Sequence, residues 1–315
     1  MALSIFSTDN YASIIRPQDI FAEVESILTL IAPCFDFSLI TTVYQDIVRL
    51  FTGKYQGYQK CNTGYHDLPH TEDCLLEMVR LIHGAHVNNF ACEERSIHLG
   101  VISALVHDSG YIQTEAERAG TGAKYTLTHI ERSIAFMEQY FARQAYSPAD
   151  FQFCEACLKC TGLNVKIDGV RFESAENELM GKILGTADLL GQMSNLNYLE
   201  KLPVLFQEFR EGGVPGYRTE LELLEKTPKF WEFTQRRLAT DLGDMRRFMR
   251  DHFRLRWGID RDLTTEAIEG YMYYLKYIIE NHPSDYRRYL RRQVMLRILD
   301  ELEEGKKKEK ARATR

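Results

Sequence analysis

Apolar residues recur at three- and four-residue spacing along almost the whole chain, and no series of alternating apolar and polar residues is set between tight hairpin turns. This periodicity predicts an all-α protein. Residues 18–52 read as two helices broken near Pro33, and Cys74, Met78, Val79 and Ile82 form the stripe of a helix over 70–86. Ile97, Val101, Ala104 and Leu105 form the next stripe, which runs from Glu93 to Val106 and stops at Ser109 and Gly110. Thr128 and Glu131 have the spacing of a capping box, which places His129 in a first helical turn with Ile130, Ile134, Met137 and Phe141 turned inward. Further helices are expected from Pro148 to Cys160, from Glu176 to Gln192, and over 219–226, 228–250, 264–281 and 283–304, with a loop at Gly212, Gly213, Pro215 and Gly216. The simplest division is a helical domain over 1–250, a helical extension over 251–304 and a basic tail over 305–315.

Charge is unevenly placed. Residues 1–240 hold 21 Lys and Arg against 31 Asp and Glu, whereas residues 241–315 hold 18 against 14. An acidic body argues against a nucleic-acid groove, which needs clustered cations to neutralise phosphates. The basic end, KKKEKARATR, has no apolar periodicity and reads as a solvated tail. Seven scattered cysteines, an odd number, fit a reducing compartment better than a disulfide framework. The amino terminus has no basic start followed by an apolar block, so the expected location is the cytoplasm. The apolar run from Ile27 to Val43 is broken by Pro33 and Asp36, well short of the ~20 residues of a membrane span.

Four polar residues fall on apolar helical faces, where an unpartnered polar or ionised group is costly. His70 leads the stripe of Cys74, Met78 and Ile82; Asp108 continues Ile97, Val101 and Ala104, directly after His107; Asp188 lies on the line of Met180, Leu184 and Gly191. Singly, each has a plain structural reading as a satisfied helix-start histidine, a helix terminator or a buried cap. Jointly, two imidazoles and two carboxylates converging from three helices make a mixed nitrogen and oxygen site for a divalent ion, unlike a cysteine-type zinc site.

The local sequences are YHDLPHTED at 65–73, ALVHDSG at 104–110, LTHIERS at 127–133 and ILGTADLLGQ at 183–192. In that order they resemble the HD-domain metal-dependent phosphohydrolases, and the first resembles the YHNxxHAxD signature of the class I cyclic-nucleotide phosphodiesterase branch. Tyr65, His66, His70 and Asp73 match that signature, His107 and Asp108 match the HD dipeptide, and Ala187, Asp188 and Leu189 match the later Ala-Asp-Leu. The likeness covers roughly residues 60–210. It implies an HD-type helical bundle in which His70, His107, Asp108 and Asp188 bind a metal and Asp108 bridges to a second one. It also implies that His129 lines the second-metal or phosphate side, and that His66 is the proton donor to the leaving oxygen. One or two ions of Mn, Fe, Mg, Ni or Zn are the expected cofactors, because His/Asp sites accept all of them. The expected reaction is hydrolysis of a nucleotide-like phosphoester, with the ion relieving phosphoryl charge and acidifying a water, and an imidazole, assisted by Asp67 or another carboxylate, protonating the alkoxide.

Three positions depart from the cyclic-nucleotide enzymes. Asp67 stands for the Asn, Tyr111 stands for a His after the HD dipeptide, and Pro228 falls at about the purine-binding Gln. A proline side chain makes no amide contact to a purine edge, so Tyr65, Phe230 and Phe233 are the candidate substrate residues, the phenylalanines as stacking surfaces. Cyclic nucleotide is then one candidate substrate beside a nucleoside monophosphate. A regulatory metal- or nucleotide-binding module without turnover is the competing reading, and an interaction protein whose Arg287, Arg288, Arg291 and Arg292 meet an acidic partner is a third. His83, His86, His98, His252 and His282 read as structural or surface residues, and Cys154, Cys157 and Cys160 as buried thiols on one helical face. Tyr271, Tyr273, Tyr274 and Tyr277 read as packing or homodimer contacts.

Overall fold

A computed structural model describes residues 9–90, 92–144 and 146–299. The described residues form helices joined by turns, with one isolated antiparallel bridge between Tyr58 and Thr114 and no strand. The chain is all-α. The helices are α1 (Asp9–Ile15), α2 (Ile20–Ile31), α3 (Ser38–Phe51), α4 (Leu68–Val87), α5 (Glu94–Val106), α6 (His129–Ala142), α7 (Pro148–Lys159), α8 (Ala175–Ser194), α9 (Tyr198–Glu211), α10 (Glu220–Ala239), α11 (Arg247–Trp257), α12 (Leu263–Asn281) and α13 (Tyr286–Tyr289). A further helical stretch covers 292–299. Among the described residues no helix is long and apolar enough to cross a membrane. The tail over 305–315 lies outside the described residues.

The centre of the molecule is α4, which packs against α2, α5, α8 and α11. Every residue from His70 to Ala85 except Glu72 is buried, the pattern of a helix enclosed on all sides. Its buried charges are therefore partnered. Arg80 donates to the carbonyls of Ile14 and Ile15 at the end of α1 and to Glu77 at 2.8 Å, and Glu77 also accepts from Thr264 on α12. Helix starts carry the side chains that satisfy free backbone N–H groups. Asp67 accepts from the His70 N–H, Ser174 from Asn177, Thr219 from Glu222 and Asp262 from Thr265.

Several boundaries differ from those that periodicity predicts. A capping box forms at Ser147 and Asp150, at the start of α7, and not at Thr128, whose hydroxyl turns back to the Tyr125 carbonyl. His129 is still the first residue of α6, but Ser133, Phe136, Met137, Tyr140 and Phe141 are its buried residues, with Ile130 and Ile134 partly exposed. Pro228 does not separate two helices: it sits inside α10, which ends at Ala239, and the chain turns through Gly243 and Asp244, both with positive φ, before α11. No helix is assigned by periodicity between Gln192 and Gly212, where α9 runs with Pro203 inside it. The division at 250 and 251 falls within α11, which packs on α4, while α12 packs on α8 and α10. The extension is thus part of the bundle. Tyr271 and Tyr274 are buried in it, whereas Tyr273 is exposed. Of the arginine-rich end, Arg287 reaches back to Glu220 at 2.5 and 2.8 Å, which ties it to the start of α10.

Candidate metal centre

Each polar side chain of the site is set by a local structural event. Asp67 caps α4 and so starts the helix at Leu68, with His70 in the first turn and His66 in the preceding turn. His107 closes α5, and Asp108 lies just beyond it in the turn that leads to Ser109–Tyr111, not on the helix itself. The Ser133 hydroxyl donates to the His107 carbonyl at 2.5 Å and accepts from the Gly110 N–H at 2.9 Å, which fastens this turn to α6. The turn can approach so closely because a Cβ at Gly110 would stand 2.0 Å from the His129 carbonyl oxygen. Asp188 lies in mid α8. One turn on, Gly191 rests against the backbone of Asp73 and Cys74, where a Cβ would come within 2.9 to 3.0 Å, so α8 and α4 nearly touch.

These constraints bring four donor atoms together. The His70 Nε2 lies 3.2 Å from Asp108 Oδ2, 3.3 Å from Asp188 Oδ1 and 3.4 Å from His107 Nε2. The His107 Nε2 is 3.4 Å from Asp108 Oδ2 and 3.7 Å from Asp188 Oδ1. Two ligands held ~2.1 Å from one ion stand about 3.0 Å apart at a right angle and about 3.4 Å apart at a tetrahedral angle. Four of the five separations lie between those edges, and the fifth, 3.7 Å, is slightly longer. His107 Nδ1 donates to the Ala104 carbonyl at 2.8 Å, which directs Nε2 to the group, as in ligating histidines. Asp108 Oδ2 is fully buried and has no hydrogen-bond donor among the described residues, although both rings stand at ion-pair distance. A buried carboxylate oxygen without a donor is costly unless a cation completes it. These residues fit a divalent ion.

The charges point the same way. Burial opposes a charged His70, but the Asp108 and Asp188 carboxylates lift it to about 10, and the same pair raises His107 despite burial. Against burial, His107 and His70 hold Asp108 well below the usual carboxylate range. Two buried carboxylates that share the same pair of rings need positive charge beside them, from protons on the rings or from a cation in their place. His129 is on the other side of Asp108, with its Nε2 3.9 Å from Oδ1; burial lowers it against the pull of Asp108.

Beside the four donors stands a second arrangement. His66 lies with its ring centroid 5.7 Å from that of His70, and its Nδ1 is 2.6 Å from Oε2 of Glu208 on α9. The other oxygen of Glu208 accepts from the backbone N–H groups of Gly64 and Tyr65 at 2.7 and 2.6 Å. Burial alone would raise this carboxyl, but the bonds from His66, Tyr65 and Gly64 hold it below its ordinary value. The His66 Nε2 faces the Tyr111 hydroxyl at 3.5 Å, with the two rings stacked at 4.3 Å. The carboxylate partner of His66 is therefore Glu208 and not Asp67, which caps α4 and takes an ion pair from Lys201 at 3.0 Å. No motif marks Glu208, which lies 142 positions from His66 on a helix that periodicity leaves unassigned.

The other candidates divide. Tyr65 is buried beside the site, with its hydroxyl on Gln192 at 3.2 Å. Phe230 and Phe233 lie on α10, whose main neighbours are α9 and α12, and the structure does not place them against the histidines. Cys154, Cys157 and Cys160 are buried thiols bonded to the carbonyls of Leu99, Asn177 and Ala156. Cys74 goes unnoticed in the sequence except as an apolar stripe residue, yet its Sγ stands with His107 and Asp188 within 4.8 Å.

A family model described as Npun_R2479-like matches residues 114–243. That stretch runs from just before α6 through α10 and holds His129, Asp188 and Glu208, while His66, His70, His107 and Asp108 precede it. No curated protein and no solved structure matches the chain.

Proposed function

We propose that this protein is a metal-dependent phosphohydrolase of HD type that cleaves a phosphoester of nucleotide kind. One observation carries the reading: two imidazoles stand 3.2 to 3.7 Å from each of two carboxylates, one of which, Asp108, has a buried oxygen with no hydrogen bond, directly beside a histidine whose far nitrogen is bound by a buried carboxylate. The order of the motifs that hold these residues supports it. A divalent ion held by His70, His107, Asp108 and Asp188 supplies charge relief for a phosphoryl oxygen and lowers the pKa of a water.

The remaining chemistry belongs to the chain. His66 gives its Nδ1 proton to a hydrogen bond with Glu208, so Nε2, which faces the Tyr111 hydroxyl, is the nitrogen left to protonate a leaving alkoxide. The Gly64 and Tyr65 N–H groups pin Glu208, and the stacked Tyr111 limits rotation of the ring. His129, at the first turn of α6, holds its Nδ1 on the Thr126 carbonyl beside the first backbone N–H groups of the helix, which suit phosphate oxygens. A module that only binds a nucleotide has no use for an imidazole held by a buried carboxylate, which favours the enzyme. Because Phe230 and Phe233 stand on α10, base stacking gains no support from the geometry, and cyclic nucleotides and nucleoside monophosphates stay equal candidates.

The test is a panel of bis-p-nitrophenyl phosphate, cyclic AMP, cyclic GMP and deoxynucleoside monophosphates, each assayed with Mn, Fe, Mg, Ni and Zn. Metal-dependent release of product supports the reading. A purified protein that holds no divalent ion after Mn, Mg, Fe, Ni and Zn are each supplied would overturn it.

A further inference from the structure

Two donor groups share His107: one is His70, His107 and Asp108, and the other is Cys74, His107 and Asp188, whose ligand atoms lie within 4.8 Å of one another. Cys74 follows His70 by one helical turn on α4, so both side chains leave the same face. The contact of Gly191 with the Asp73 and Cys74 backbone carries Asp188 to that face from α8. A sulfur bound at ~2.3 Å and an oxygen or nitrogen bound at ~2.1 Å span about 3.6 Å at a tetrahedral angle and about 4.4 Å when opposed, so small side-chain shifts close this group on one ion.

A buried thiol is ordinarily a small apolar filler, and the other three buried cysteines illustrate that role. Each of those turns its thiol to a backbone carbonyl: Cys154 to Leu99, Cys157 to Asn177 and Cys160 to Ala156. Cys74 takes no such carbonyl among the described residues and is fully enclosed. Its polar neighbours are an imidazole and a carboxylate, which already belong to a second donor set in which Asp108 Oδ2 lacks a donor.

We propose that Cys74 is a ligand of this metal centre and that the centre selects a thiophilic divalent ion, zinc, cobalt or ferrous iron, over magnesium. The proposal rests on the reading that His70, His107, Asp108 and Asp188 bind an ion. On binding, the thiol proton leaves to solvent and a metal–sulfur bond takes its place. Soft thiolate favours these ions, whereas magnesium prefers oxygen ligands and keeps its waters.

The experiment is cobalt substitution of the full chain, read by absorption. Thiolate ligation produces a sulfur-to-cobalt charge-transfer band in the near ultraviolet, separate from the visible ligand-field bands that any bound Co(II) shows. The wild-type protein is expected to show both, and Cys74→Ala and Cys74→Ser to keep the visible bands and lose the ultraviolet one. Zinc affinity should fall by about 10-fold or more in these variants, the scale seen when a metal site loses a supporting group, with magnesium affinity unchanged. Visible bands without the ultraviolet band in the wild-type protein overturn Cys74 as a ligand and leave the four-residue site standing, as does an ultraviolet band that survives in Cys74→Ala. A wild-type protein that binds no cobalt overturns both.

Discussion

Replacing Glu208 by Gln separates the proton-donor role proposed for His66 from mere packing. The carboxylate is 4% exposed and meets His66 Nδ1 at 2.6 Å, while its second oxygen accepts from Gly64 and Tyr65. Gln keeps the size, and its carbonyl keeps the two backbone bonds. Its amide, however, donates, so it can face only an unprotonated Nδ1, and the ring is left with one proton and no charge. A hydrogen bond to a charged carboxylate contributes about 1.5–3 kcal/mol, or roughly 10- to 150-fold in rate if it acts in the transition state. That loss should appear only where the leaving oxygen needs a proton. The assay compares kcat for a nucleoside or alkyl phosphoester with kcat for a p-nitrophenyl ester, whose stable phenolate departs unaided. The expected result is a loss of roughly 10- to 150-fold on the first and less than about 3-fold on the second, with metal content unchanged. Equal losses on both substrates would refute proton donation by His66 through this pair.

His107→Ala and Asp108→Ala should each strip bound ion, whereas His66→Ala should retain it and slow turnover by about 10²- to 10⁴-fold; metal analysis beside kinetics checks this. Gly191→Ala places a Cβ 2.9 Å from the Asp73 carbonyl carbon, so an overpacking cost of about 1–3 kcal/mol is expected. Melting curves with and without ion should show that loss together with weaker ion affinity, because Asp188 moves away with α8; unchanged affinity would contradict the role of the close helix contact. His83 and His252 face each other across α4 and α11 with their Nδ1 atoms 3.2 Å apart, one ring donating to the other. Burial, with His86 and Arg256 nearby, pushes His83 down to about 4, and burial with Arg80 pushes His252 well below its ordinary value. The unfolded rings gain protons below about pH 6.5, so stability contributed by this pair is present above that pH and is lost as pH falls toward 4, by up to about 1.4 kcal/mol per pH unit for each ring. Denaturant midpoints between about pH 7 and pH 5 should fall less steeply in His252→Gln than in the wild-type protein.

What the sequence by itself determined is what local periodicity and short motifs can carry. An apolar stripe every 3.6 residues makes α4, α5 and α8 readable, and a histidine or aspartate on such a stripe must turn inward whatever it meets. His70 and Asp188 were legible in this way; Asp108 was read on the stripe of α5 but lies just beyond the helix, and His107 was legible only as its neighbour. Local rules failed where two of them competed. Thr128 has capping spacing but turns back to Tyr125, and Pro228 has the chemistry of a helix breaker but rides inside α10, where Thr227 bonds back to the Leu223 carbonyl.

Only the tertiary structure decided which groups meet. Glu208 and His66 are joined by the packing of α9 under the turn that precedes α4, a contact that no spacing encodes. Cys74 looks like any apolar stripe residue until Gly191 lets α8 bring Asp188 beside it. Periodicity fixes the direction of a side chain relative to its own helix axis, whereas a site is made by distances between axes. Those distances are set by whichever small residues, here Gly110 and Gly191, let two backbones touch.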